Sequence, residues 1–222
     1  MPRTARASKG GVIYHVINRG NGRGQVFHDE EGYAAFVELL GKAHERMKME
    51  VLSYCLMPNH FHLVLRPPDD DSLGTWMHWL LTSHVRRHHR RYGTSGHVWQ
   101  GRFKAFPVQE DDHLLTVLRY VERNPLRANL VRDASAWPWS SLRWWRQRKR
   151  PAFLCPTKDV LSPKWAARVQ QPETDSELAA LRRSVIRGTP FGGAAWMDRI
   201  ARKLGLEFTL NPRGRPRKVS KK

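Results

Sequence analysis

Apolar residues along the first 140 positions recur at two spacings, every second residue or every third to fourth, and the switches between them mark out the elements. Gly11 to Arg19 is rich in β-branched and aromatic residues and is stopped by the glycine-rich run Gly20 to Gly24, which predicts a first strand and a loop. From Asp29, a residue suited to N-capping, Tyr33, Phe36, Val37, Leu40, Ala43 and Met47 follow helical spacing and predict an amphipathic helix of roughly 18 residues. Val51 to Met57 and His60 to Arg66 read as antiparallel strands joined by the tight connection Pro58-Asn59. Ser72 is placed to cap a second helix with Leu73, Trp76, Met77, Leu80 and Leu81 on its apolar stripe, and Arg86, Arg87, Arg90 and Arg91 crowd its C-terminal end. Arg102 to Val108 reads as a short strand, with Pro107 pointing to a sheet edge. Asp111 or Asp112 opens a third helix, striped by Leu114, Leu115, Leu118 and Val121, which should end at Asn124 because Pro125 disfavours helix in the residue before it. The order βαββαβα predicts an α+β fold: a ferredoxin-like split βαβ core, with an antiparallel-rich sheet and helices on one face.

The texture changes near residue 137. Trp137, Trp139, Trp144 and Trp145 are interleaved with Arg143 and Arg146, a pattern that serves equally for stacking bases or for packing onto the sheet. A helical pair follows, with Leu178, Leu181, Val185 and Ile186 on the first helix and Trp196, Ile200 and Leu204 on the second. The expected organisation is a catalytic domain over residues 1–140, a Trp/Arg-rich and mainly helical extension over 141–210, and a basic tail over 211–222. That tail contains Arg213-Gly214-Arg215-Pro216, the core of an AT-hook, in which Arg213 and Arg215 would lie in an A·T minor groove.

Charge narrows the partner. The 222 residues carry 39 Lys and Arg against 20 Asp and Glu, a formal charge of +19, which favours a polyanion, with nucleic acid first. No apolar run approaches the roughly 20 residues of a membrane span, and no apolar region follows the basic N-terminus as in a secretory signal. Cys55 and Cys155 are too few and too separated for a disulfide framework or a Cys-x-x-Cys zinc site, so the expected setting is the reducing cytoplasm, in association with the nucleoid.

Two constellations carry chemistry. His60 and His62, one residue apart on a strand, point to the same face and can grip one metal ion. Tyr120 and Asn124, four apart on a helix, project a hydroxyl and an amide oxygen together. A phenol is a weak nucleophile at neutral pH, and a divalent ion can polarise a phosphodiester and stabilise its leaving oxygen. Two imidazoles suit Mn²⁺ at least as well as Mg²⁺, so either ion is expected. Each pair alone is also compatible with ordinary packing, and the two together supply the parts for metal-assisted attack by tyrosine on phosphate.

Three stretches in order, Tyr14-His15-Val16-Ile17-Asn18-Arg19-Gly20, Met57-Pro58-Asn59-His60-Phe61-His62-Leu63 and Tyr120-Val121-Glu122-Arg123-Asn124-Pro125, resemble the single-tyrosine, His-hydrophobe-His transposases of the IS200-like class. The likeness is greatest to their REP-associated branch. The resemblance implies that Tyr120 is the nucleophile, His60 and His62 the metal pair, and Asn124 a third ligand where many relatives have glutamine. It also implies cleavage of single-stranded DNA beside an imperfect hairpin through a 5′-phosphotyrosine link, with a free 3′-hydroxyl and rejoining by reversal. Partners would be single-stranded or hairpin DNA, and the protein a monomer or a homodimer. Arg19, Arg102 and Lys104 are placed to meet backbone phosphates, and Trp99 and Phe103 to stack on bases. Two rivals stay open from the sequence: a catalytically silent regulator that binds DNA hairpins, and an RNA hairpin binder or nuclease.

Overall fold

The computed structural model describes residues 8–211, so Arg213 and Arg215 of the AT-hook-like tail lie outside the described residues. Four strands, β1 (Ile13–Arg19), β2 (Glu50–Met57), β3 (His60–Arg66) and β4 (Lys104–Val108), form one antiparallel sheet in the order β2-β3-β1-β4. This is the expected α+β, ferredoxin-like arrangement, with β1 and β3 central. The first long helix, α1 (Glu30–Arg46), is capped by Asp29, whose side chain accepts from the Gly32 amide at 2.8 Å. The second, α2 (Ser72–Tyr92), begins one residue earlier than a Ser72 cap would allow. Asp71 holds the cap position in a left-handed conformation, and the Ser72 hydroxyl turns back to the Asp69 carbonyl.

The third helix, α3 (Asp112–Glu122), is followed at once by a single turn, α4 (Asn124–Arg127). Pro125 therefore does not end helical structure at Asn124. It sits in the first turn of α4, where a missing amide costs nothing, and the chain runs on through Arg123 in helical conformation.

Consecutive strand residues point to opposite faces, and β3 shows which helix covers which face. Phe61 meets Phe36 of α1 with ring centroids 5.3 Å apart, whereas His62 meets Tyr120 of α3 at 5.7 Å. α1 and α2 thus share one face, and α3 lies across the other, so the expectation of helices on one face holds for α1 and α2 alone: the apolar stripe of α3 is buried against the second face. Ser53 of β2 pairs with Val64, two residues from His62, and so faces α3 as well.

The extension holds α5 (Trp165–Gln170), which the sequence pattern did not announce, and the expected pair α6 (Asp175–Arg187) and α7 (Ala194–Leu204). Together with residues 137–140 just before it, the extension also seals both edges of the sheet. Along β2, the Leu56 amide donates to the Trp139 carbonyl, the Tyr54 amide to the Ser141 hydroxyl, and Val51 exchanges bonds with Phe153 and Cys155. Along β4, Phe191 donates to the Pro107 carbonyl and accepts from the Gln109 amide. Unpaired strand edges invite foreign strands, and both are closed here by residues 137–191. The tryptophans of the extension serve packing. The Trp137 indole donates to the Leu56 carbonyl, the Trp144 indole to the Tyr54 hydroxyl, and Trp139 stacks on Tyr33.

Candidate active site

His60 and His62 open β3 on the face that α3 covers, with ring centroids 5.0 Å apart. Each has one ring nitrogen engaged. The Nδ1 of His60 lies 2.7 Å from the Asn59 side-chain oxygen, and the Nδ1 of His62 lies 2.9 Å from Nε2 of His15. The Asn59 oxygen can only accept, so it fixes the proton of a neutral His60 on Nδ1 and leaves the Nε2 lone pair available. His15 can act on His62 in the same way by accepting the Nδ1 proton. The two rings stack nearly parallel, 3° apart, with centroids separated by 5.0 Å. Burial and then the positive charges of Arg19 and Arg127 push His60 down to about 4. Burial, ahead of its neighbours His60, His15, Arg127 and Arg19, holds His62 well below the ordinary imidazole range. Both rings are therefore neutral near pH 7, the form that binds a metal. Two Nε2 atoms free of protein partners on one face fit a divalent ion.

The nucleophile candidate stands beside them. The Tyr120 ring lies 5.7 Å from His62 and 6.1 Å from His15, edge-on to both, and the residue is 8% exposed. Asn124 donates from its amide to the Tyr120 carbonyl at 2.9 Å, and its oxygen accepts from Arg127 Nη2 at 2.6 Å. An amide oxygen has two lone pairs, so one is left for a further contact. Arg127 lies over the Tyr120 ring, 4.1 Å from its centroid, and its Nη1 is buried with no protein partner. Tyr120, Asn124 and Arg127 share a face at spacings of four and three. Arg127 escaped the sequence reading because the helix was expected to stop before it.

Behind this face lies a buried carboxylate. Glu122 is fully buried, and one of its oxygens accepts from Ser53 at 3.1 Å, Ser141 at 2.6 Å and the Trp145 indole at 2.7 Å, while the other accepts from the Trp165 indole at 2.7 Å. Burial raises its pKa, and those four donors pull the other way. Glu122 ties α3 to β2 and to two points of the extension, which fixes the helix that presents Tyr120. Glu122→Ala would strand four buried donors, and breaking such a buried charge network costs on the order of 3 kcal/mol or more. In a chain of this size the expected fall in melting temperature is about 10 °C, read by thermal unfolding. A fall below about 3 °C would mean that the network does not hold the helix.

Of the residues expected to meet DNA, Arg19 ends β1 directly opposite His60, with its Nε buried and unpartnered. Lys104 pairs with Ile17, which in turn pairs with His62, so Lys104 lies on the same face two strands away, about 10 Å by strand spacing. Arg102 is exposed just before β4. Trp99 is no stacking platform: it is buried among Phe36, Phe61 and His84. Gly20 follows Arg19 where a Cβ would collide with the Gly24 carbonyl, so this tight loop needs glycine.

The chain belongs to the IS200-like transposase family, whose sequence model matches residues 8–124. Over 108 residues it is 29% identical to a REP-associated tyrosine transposase of Haemophilus influenzae, a match spanning 44% of this chain and 61% of that relative. It is 22% identical over 135 residues to the REP-associated tyrosine transposase of Escherichia coli, 60% of this chain and 77% of that one. Its fold is similar to a solved REP-associated tyrosine transposase bound to a REP hairpin, with a TM-score of 0.53 and 21% identity over 64% of this chain and 84% of that chain. No helix among the described residues is long and apolar enough to cross a membrane.

Proposed function

We propose that the protein cleaves and rejoins single-stranded DNA beside a hairpin, with Tyr120 as nucleophile. The observation that carries this reading is Tyr120 lying edge-on to His62, which pairs with His60 on one strand face, both rings neutral and each with an Nε2 free of protein partners. Tyr120 Oη attacks the scissile phosphorus, and the phosphorus–3′-oxygen bond breaks. The phenolic proton passes to solvent, the departing 3′-oxygen takes one up, and a 5′-phosphotyrosine link remains. Attack by a 3′-hydroxyl on that link reverses the step.

His60 and His62, with Asn124 as third ligand, would hold Mg²⁺ or Mn²⁺, which supplies Lewis-acid polarisation of the phosphate and stabilises the leaving oxygen. Asn59 and His15 orient the two imidazoles. The unpartnered Nη1 of Arg127 and Nε of Arg19 are donors that phosphate oxygens would satisfy. The partner is single-stranded or hairpin DNA, and the setting is the cytoplasm at the nucleoid.

The test is incubation of labelled hairpin DNA from the flanks of the encoding gene with wild type and a His60→Ala, His62→Ala double variant, with Mg²⁺, Mn²⁺ or chelator, on a denaturing gel. A metal-dependent protein–DNA adduct with wild type alone is expected, and undiminished cleavage by the double variant would remove the metal assignment. Binding without any adduct would instead assign the protein to hairpin occupancy.

A further inference from the structure

Two large apolar side chains of the extension are left in water: Phe208 is 63% exposed and Ile186 is 59% exposed. Single exposed side chains of this kind need no account, but these two share a support. Ile186 precedes Arg187, the last residue of α6, and Arg187 Nη2 donates to the Phe208 carbonyl at 3.4 Å. The turn that carries Phe208 is itself held. Thr209, buried and next in the chain, donates from its hydroxyl to the Leu206 carbonyl at 2.7 Å, and its carbonyl accepts from the buried Thr189 hydroxyl at 3.0 Å. Phe208 is therefore an exposed ring on a fixed backbone. Arg182 and Arg183 share the face of α6 that presents Ile186, exposed and with no acidic partner among the described residues. With Arg187 they outweigh the neighbouring carboxylate of Glu207, so the surface favours an anion.

The place of α6 in the fold gives this surface a direction. Near the start of the helix Glu177 pairs with Arg119 of α3 at 2.7 Å, so α6 begins on the face of the sheet that carries Tyr120. At its end Gly188 comes against β4, where a Cβ would lie 3.7 Å from the Ala105 carbonyl. The residue before Ala105 is Lys104, an exposed cation on the face of His62 across β1. A line drawn outward from the histidine pair thus crosses Lys104 and arrives at the end of α6. An exposed ring flanked by arginines suits unpaired bases and their phosphates, whereas a duplex hides its base faces from the ring.

We propose that Phe208 and Ile186, with Arg182, Arg183 and Arg187, form a platform that binds an unpaired DNA strand extending from Tyr120, the ring stacking on a base and the arginines holding phosphates. The continuation of that strand to Tyr120 rests on the DNA-cleaving reading above; the capture of unpaired bases rests on the platform alone.

The experiment compares wild type with Phe208→Ala, Phe208→Trp and an Arg182→Ala, Arg183→Ala double variant. The labelled probes are oligothymidylate of about 15 nucleotides, oligouridylate of the same length, a hairpin with a long unpaired foot, and a blunt hairpin of the same stem. Affinity is read by anisotropy across a salt series, and adduct on a denaturing gel. All three positions are exposed, so the fold should persist, as circular dichroism would report. Phe208→Ala is expected to weaken binding of oligothymidylate and of the long-footed hairpin at least about fivefold without changing the log–log salt slope, because stacking is lost and no charge is. On the blunt hairpin its affinity should stay within about twofold. Phe208→Trp should keep wild-type affinity within about twofold, since an indole stacks as well as a phenyl ring. The arginine double variant should flatten the slope on oligothymidylate by about 1.4.

Unchanged affinity of Phe208→Ala for oligothymidylate and the long-footed hairpin would overturn the proposal, as would an equal loss on the blunt hairpin. Oligouridylate bound more tightly than oligothymidylate by wild type, with the same loss in Phe208→Ala, would overturn the DNA assignment. No adduct on either hairpin, together with the expected loss on oligothymidylate, would sink the cleavage reading and leave the platform standing.

Discussion

Tyr120→Phe is expected to abolish adduct formation and strand cleavage on hairpin DNA, a loss on the order of 10⁴-fold or more, because it removes the attacking atom itself. The substitution should leave the fold intact. Among the described residues the Tyr120 hydroxyl makes no hydrogen bond, so phenylalanine strands no partner, keeps the ring against His15 and His62, and keeps Arg127 above it. Hairpin affinity should therefore stay within about threefold, since phosphate contacts by arginine carry most of it. A variant that still forms the adduct would move the nucleophile to another residue. One that also lost hairpin binding would assign Tyr120 to recognition.

The second large effect is acid lability. Burial pushes His15 and His84 down to about 3, and His60 to about 4. In the unfolded chain these imidazoles titrate near 6.5. Between those values the unfolded state binds more protons than the native one, so stability is complete above about pH 6.5 and is lost as pH falls toward 4. Three histidines acting together should remove on the order of 5 kcal/mol between pH 7 and pH 4.5, comparable with the whole stability of an ordinary domain. Glu122, raised by burial, works in the opposite direction as a single group. Denaturant unfolding at pH 7, 6, 5 and 4.5 checks this, and a midpoint that does not move would mean that the histidines are already open to solvent.

Much of the fold was legible because the sheet and its first helices obey local rules. The alternation of His60-Phe61-His62 gave the correct face, and Asp29 acts as the N-cap. Pro107 does lie on an edge strand, with its carbonyl turned outward to Phe191. What escaped depends on partners distant in sequence. His15 reads as one more strand residue until the register of β1 against β3 brings it to His62, 47 positions away. Glu122 carried a faint signal, a charge four residues after Leu118 on an apolar stripe, but its four donors come from β2 and the extension. The tryptophans were evenly balanced between bases and core, and tertiary hydrogen bonds decide for the core. Arg127 was lost to a rule of thumb about proline that holds for helix interiors and not for a new first turn.

The covering of both sheet edges has a consequence for the order of events during synthesis. A nascent chain that has emerged only as far as Arg127 already contains every expected ligand and the proposed nucleophile, yet Glu122 then lacks Ser141, Trp145 and Trp165, and β4 lacks Phe191. Such long-range pairing closes late and slowly, because the entropy of a large loop is lost before its contacts form. The ribosome must therefore finish most of the extension before α3 is pinned, so a half-made chain lacks a fixed Tyr120 helix however complete its motifs.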